Sequence, residues 1–228
     1  MLSMIVGGIN HSGLNNSTEI WHSNPNKTIN YVSAHDNLTL RDQLAYSGIT
    51  NDRTLQRMQQ QANSIVLTSQ GISFIHAGAD FMRSKPKDET SDENEILGGF
   101  DKNTYNRSDQ VNQLRWDKKA EFANVFNYYK GMIAINKTYP HFRMTNSDDI
   151  RNNLQFIEVG NGGIGYKITK DDIIVVVIHM SNTNNGSTDI YLNDDIEYTI
   201  LSNAIETDIT GLSTVTNRVR VPDNTSMI

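Results

Sequence analysis

Ile29-Asn30-Tyr31-Val32-Ser33-Ala34-His35-Asp36-Asn37-Leu38-Thr39-Leu40 is the stretch on which the fold turns. A short apolar run ends at Ala34 in three bare polar residues, His35, Asp36 and Asn37. Residues 28–34 read as a buried strand, and a strand that stops on three polar groups has a reason to stop there. In α/β barrels the active site sits at the C-terminal ends of the strands. Taken by itself, His35-Asp36 is a hydrogen-bonding pair at a strand end. An ionised Asp only accepts, which suits a sugar hydroxyl or a cation, while a neutral His both donates and accepts. A buried polar pair that merely caps the strand is the plainer alternative, and the residues alone leave both open. A His-Asp metal dyad of the phosphohydrolase kind is a third reading. It needs further ligands, and His11, His22, His76, His141 and His179 show no ligand spacing such as His-x-x-x-His.

Outward from this stretch, Leu55, Met58, Ala62, Ile65 and Val66 recur at three- and four-residue steps, which predicts an amphipathic helix over 52–70. Asn51 or Asp52 is the expected cap, and Gly71 ends the helix. Ile72-Ser73-Phe74-Ile75-His76-Ala77 reads as a second buried strand. Strand, helix, strand in this order predicts a parallel βαβ unit, with 28–34 beside 71–77. His76 by itself reads as a core histidine rather than a ligand.

Residues 1–27, with Gly7-Gly8 and Asn15-Asn16, read as a polar loop with room for a short helix. A long polar stretch follows Gly78 as far as about Asp117, of the kind that is either functional or disordered. A helix is expected over Lys118–Asn136, with Phe122, Val125, Phe126, Tyr129, Met132 and Ile133 on one face, broken by Tyr139-Pro140. Beyond Asn152 the pattern turns to β. Strand candidates are 154–159, 165–169, 173–180, 189–192, 197–201 and 218–221. Turns are expected at Gly162-Gly163, Asp171-Asp172, Asn184-Asn185-Gly186, Asn193-Asp194 and Thr210-Gly211. Many short strands with turn signals between them suggest a sandwich, and the boundary is placed near residue 145.

Composition narrows the classes. The 228 residues carry a net charge of −6, which disfavours nucleic acid, and no apolar run reaches membrane-spanning length. Zero cysteines exclude disulfides and thiolate metal sites. The N-terminal residues do not resemble a signal peptide, and a cytoplasmic location is the simpler expectation. No cofactor or metal is called for.

Three segments resemble one family, the type I pullulanases, which are debranching enzymes of the α-amylase superfamily. His35-Asp36 within 29–40 resembles the superfamily's fourth signature region. Gly71-Ile72-Ser73-Phe74 through Gly78-Ala79-Asp80-Phe81 resembles the last barrel strand, G-I-P-F-x-x-x-G-x-E, with Ser73, Ala79 and Asp80 as departures. Phe81 to Lys85 resembles the continuation F-x-R-T-K. Asn103 to Asp117 resembles N-S-Y-x-S-P-D-x-V-N-x-x-x-W, with Arg107 displacing Ser108 and the proline lost. Tyr139 to Arg143 and the closing residues 221–228 match structural parts of the family.

The resemblance implies the C-terminal portion of a (β/α)8 barrel over 1–145 and a β-sandwich over 146–228. It implies Asp36 as the transition-state carboxylate and His35, Asn37, Tyr105, Asp109 and Asn112 as sugar contacts. Trp116 reads as a hydrophobic anchor of its loop. The family's nucleophilic Asp and acid Glu fall on earlier strands, so the chain by itself is expected to be inactive. Its expected partners are an α-glucan and the polypeptide that carries the missing strands. A glucan-binding or structural module without catalysis is the alternative.

Overall fold

A computed structural model describes residues 1–14, 22–160, 162–192 and 195–228. The Asn15-Asn16 loop and the Asn193-Asp194 turn lie outside these.

The predicted parallel unit is present. Strand β1 (Ile29–Asn30) pairs in parallel with β2 (Ile72–Ser73), Ile29 opposite Ile72 and Asn30 opposite Ser73. The helices before and within the connection are α1 (Leu2–Ile5), α2 (Leu40–Tyr46) and α3 (Asp52–Thr68). Asn51 caps α3, its Oδ1 accepting from the Thr54 amide at 2.9 Å. The ladder is far shorter than the predicted strands, and these are not buried on both faces. Ile29, Tyr31, Ile72 and Phe74 all stand exposed, the Tyr31 and Phe74 rings meeting edge to face at 6.0 Å. Alternation explains this: Thr28 and Asn30 point inward, so Ile29 and Tyr31 point out, where no described element covers them.

Two other expectations are corrected. The short helix allowed for within residues 1–27 is present as α1, but residues 1–14 are not simply a polar loop. Ile5, Val6 and Ile9 are fully buried, and the Gln70 amide donates to the Ile5 carbonyl at 2.9 Å. Helix α3 buries Gln59, Gln60, Asn63, Ser64 and Thr68 along with Leu55 and Val66. It is packed on several sides, by α2, α6 and the sheet strands β7 and β12 described below, so its polar positions are buried too. Their donors are placed: Gln59 Nε2 donates to the Ala79 carbonyl at 2.9 Å, Asn63 Nδ2 to the Gln59 carbonyl at 3.2 Å and Thr68 Oγ1 to the Ser64 carbonyl at 2.8 Å, while Ser64 Oγ meets the Tyr128 hydroxyl at 3.2 Å.

The long polar stretch is ordered. It holds a hairpin of β3 (Ile96–Leu97) and β4 (Phe100–Asp101), turned by Gly98-Gly99, and a short helix α4 (Asp109–Asn112). The helix expected at 118–136 is broken at Phe122 into α5 (Lys118–Glu121) and α6 (Ala123–Thr138). The buried face of α6 is Val125, Tyr128, Tyr129, Met132 and Ile135. Ile133 falls outside it, and Phe126 sits under the Lys119 ammonium at 4.1 Å.

After α7 (Ser147–Asn153) come β5 (Leu154–Ile157), β6 (Gly163–Lys170) and β7 (Ile173–Met180), an antiparallel run. Asp171 and Asp172 form the predicted two-residue turn, both with positive φ (50° and 61°), as the mirror-image hairpin turns require. Then follow β8 (Ser187–Tyr191), β9 (Glu197–Ile200), β10 (Ser213–Thr216), β11 (Arg218–Pro222) and β12 (Thr225–Met227). The sheet order is β12-β7-β6-β5, with β11-β8 and β10-β9 as separate antiparallel pairs. One apolar cluster joins Ile5, Leu67, Met132 and Ile135 to Ile150, Leu154, Tyr166, Val177 and Ile228, so the core runs continuously past residue 145. The whole is a mixed helix and sheet structure with small, open sheets.

Candidate functional site

The His35-Asp36-Asn37 triplet sits five residues beyond the last paired residue of β1, on a loop that leads into α2. His35 and Asp36 are 86% and 73% exposed at the side chain, and their nearest mutual contact is Nδ1 to Oδ1 at 3.2 Å. Asn37 is exposed and left-handed at φ 60°. Asp36 and Asn37 line a shallow polar cleft with Glu95, Lys102 and Asn103. Lys102 and Glu95 pair across it at 3.3 Å.

Below this exposed loop lies a buried polar framework. Thr39 caps α2, accepting from the Asp42 amide at 3.2 Å. The Asp42 carboxylate is fully buried. It accepts from Ser84 Oγ at 2.6 Å and from the Lys85 amide at 2.7 Å, and it lies 3.2 Å from Arg41. Lys85, 1% exposed, turns its ammonium to the carbonyls of His35 (3.2 Å) and Asn37 (2.5 Å). Burial is the main cause that lowers the Lys85 pKa. Arg83 adds to it, while Asp42, Asp101 and Asp36 oppose it.

The other expected sugar contacts lie on the 103–117 loop. Tyr105 is 84% exposed, free to present its ring. Asp109 is the first residue of α4, exposed, with Ser108 as the cap that accepts from Val111. Asn112 ties its loop together through Nδ2, which donates to the carbonyls of Thr104 (2.8 Å) and Arg107 (3.4 Å). This loop is held by Asp101, buried and paired with Arg107 at 2.9 Å, and by Ser108 Oγ donating to Asp88 at 2.5 Å. The cleft that holds Asp36 and Asn37 is completed by Asn103, the first residue of this loop, while His35 stands beside Asp36 at its rim. Trp116 is no buried anchor. It is 66% exposed, with its ring tilted against Phe81 at a centroid distance of 5.4 Å.

His76 behaves as a core histidine. It is buried against Arg83 Nη1 at 3.1 Å, and burial, followed by Arg83, brings its pKa down to about 4. It is therefore neutral and accepts from the guanidinium. Asp80 is half-buried and its pKa is raised by desolvation. Among the described residues no group of three or more His, Asp or Glu side chains is placed to hold a metal ion, and no helix is long and apolar enough to cross a membrane.

Sequence reading passed over Lys85, Asp42, Glu95 and Lys102. Of these only Lys85 left a trace, as the last residue of the F-x-R-T-K match. Asp42 carries no motif, and its burial is a purely tertiary fact.

No family model matches the chain. A pullulanase of Bacillus subtilis (strain 168) is 31% identical over 183 residues, which are 78% of this chain and 23% of that protein. Pullulanase A of Streptococcus pneumoniae serotype 2 (strain D39 / NCTC 7466) is 32% identical over 198 residues, 68% of this chain and 16% of that one. The solved pullulanase from Bacillus acidopullulyticus superposes with a TM-score of 0.83 at 29% identity, over 99% of this chain and 26% of its own. The type I pullulanase of Bacillus subtilis str. 168, complexed with maltose, gives 0.84 at 27% identity, over 99% and 30%. The chain thus spans a quarter or less of the curated relatives it matches. Sequence and backbone agree: the chain is similar to a portion of a pullulanase, consistent with its C-terminal part.

Proposed function

We propose that this chain supplies the Asp36 side of a retaining α-1,6-glucan hydrolase acting on pullulan, starch or glycogen. In this reading residues 1–145 are the last part of a (β/α)8 barrel and 146–228 a β-sandwich. Asp36 accepts hydroxyls of the glucose at the cleavage point and stabilises its distorted, oxocarbenium-like state. His35, Asn37, Tyr105, Asp109 and Asn112 contact neighbouring sugars. Retention needs a nucleophilic carboxylate and a separate acid about the bond, which this reading assigns to another polypeptide segment.

The observation that carries it is the placement of Asp36. It follows the C-terminal end of a strand in a parallel pair, exposed in a polar cleft. In the parallel barrels that position belongs to the active site. A second observation supports the need for a partner. The β1–β2 pair is only two residues long and leaves Ile29, Tyr31, Ile72 and Phe74 uncovered, as the inner face of an incomplete barrel would. That a pullulanase structure holds maltose supports glucan as the ligand class.

The test is hydrolysis of pullulan, read by reducing ends. The chain alone is expected to be inactive, and turnover is expected when a polypeptide carrying the barrel's nucleophile and acid is added in trans. Turnover by the chain alone would place the active site elsewhere. Glucan binding without turnover in either mixture would favour a non-catalytic binding module.

A further inference from the structure

The Asp36 side chain has almost no neighbours to tell it where to stand. Its one close side-chain contact, His35, is as exposed as it is. An exposed carboxylate with such a neighbour inherits its position from its backbone. That backbone turns sharply, with Asn37 left-handed at φ 60°, a conformation asparagine tolerates better than most side chains.

The carbonyls of His35 and Asn37, one on each side of Asp36, both accept from the Lys85 ammonium. Lys85 makes no ion pair among the described residues. A buried ammonium without a direct counter-ion is costly, and a methionine of similar length would fill the space without that cost. What the charge accomplishes here is the two hydrogen bonds, which charge strengthens. The other end of the residue is equally fixed. The Lys85 amide and Ser84 Oγ both donate to Asp42, which is buried in the first turn of α2, and α2 begins directly after the 35–37 loop. Loop, helix and lysine close into one bracket.

We propose that Lys85 is the positioning residue of this site, clamping the backbone on both sides of Asp36 so that the carboxylate meets the sugar at a fixed place. This rests on the assignment of Asp36 to substrate given above. Displacement of a reacting group by about 1 Å costs on the order of 100-fold in rate, so loss of the clamp acts on kcat.

The first experiment needs no catalysis. In the 228-residue chain, the carbonyl ¹³C shifts of His35 and Asn37 are followed with pH beside the Lys85 side-chain resonances. The charged groups acting on Lys85 are Arg83, Asp42, Asp101 and Asp36. Both carbonyls are expected to titrate with the midpoint of Lys85, and to be flat over that range in Lys85→Met. Carbonyls that ignore the Lys85 titration overturn the clamp, and because this is read on the unaltered chain, it decides even if the variant fails to fold. The second experiment uses the two-polypeptide mixture. Lys85→Met is expected to lower kcat about 100-fold while KM stays within threefold. Unchanged kcat in a mixture that Asp36→Asn does inactivate overturns the proposal. If Asp36→Asn is itself silent, the assignment of Asp36 falls, and the carbonyl shifts alone judge the clamp.

Discussion

The β1–β2 end of the molecule and the β5–β6–β7 sheet are built by opposite means. The β6–β7 ladder pairs eight residues on each strand and buries Tyr166, Ile168, Val175 and Val177. The β1–β2 ladder pairs two, exposes its apolar residues, and is backed by polar groups: Asn30 to the Gln70 carbonyl, Ser73 to the Val66 carbonyl, and Asp42 and Lys85 beyond. The first region is stable through area removed from water. The second is held in place from behind and leaves its front face uncovered. The contrast teaches that stability and the proposed site are lodged in different parts of this chain, joined by the continuous core around Ile5, Leu67 and Met132.

The comparison is sharpened most by Asp36→Asn in the active mixture. The change keeps size, removes charge and leaves one acceptor oxygen where there were two. The kcat is expected to fall by about three orders of magnitude or more, on the scale of lost transition-state contacts. Because the side chain is exposed, the thermal midpoint should not move. A fall in kcat below tenfold would return Asp36 to the role of a strand cap.

Next in size is Tyr166→Ala, at the other end. Tyr166 is fully buried, and its hydroxyl donates to the Thr68 carbonyl at 2.9 Å. Truncation should cost about 3–5 kcal/mol in urea unfolding. The matching change Tyr31→Ser at the exposed face should stay within about 0.5 kcal/mol and reduce self-association in sedimentation. Equal losses at the two sites would erase the distinction between the regions.

A third test uses pH. His179 is fully buried between Thr68 and Ser226, and burial holds its pKa near 3, against 6.5 for a free histidine. The folded state therefore resists a proton that the unfolded state takes up. Stability is fully present above about pH 6.5 and falls as pH drops toward 3, by up to about 1.4 kcal/mol per pH unit from this one residue. His76, held near 4, adds to the slope between 6.5 and 4. His179→Gln should flatten the profile, measured as the denaturation midpoint at pH 7 and pH 5. A last effect is local. Asp171→Val places a β-branched residue at φ 50° in the β6–β7 turn and should cost about 1–2 kcal/mol.

Local chemistry made much of this legible. Turn residues announce themselves because few side chains tolerate positive φ, so Asp171-Asp172 and the strands on either side were readable, β7 to the residue. The parallel β1–β2 pair followed from order and periodicity, and the motif is what singles out Asp36 as the candidate. Polar strands such as β10, Ser213–Thr216, gave no such sign, since only Val215 turns inward.

What the sequence by itself determined is the family, the order of the elements and the residue types at the candidate site. What only the tertiary structure decided is burial and company. A lysine in a polar stretch proved to be the most enclosed cation near the site. An apolar strand face proved to be open, and Asn112 was found holding its own loop. The physical reason is that hydrophobic periodicity records which side of an element is apolar, not what lies against it. Partners such as Asp42 and Lys85 are distant in sequence and meet only when the chain closes around them.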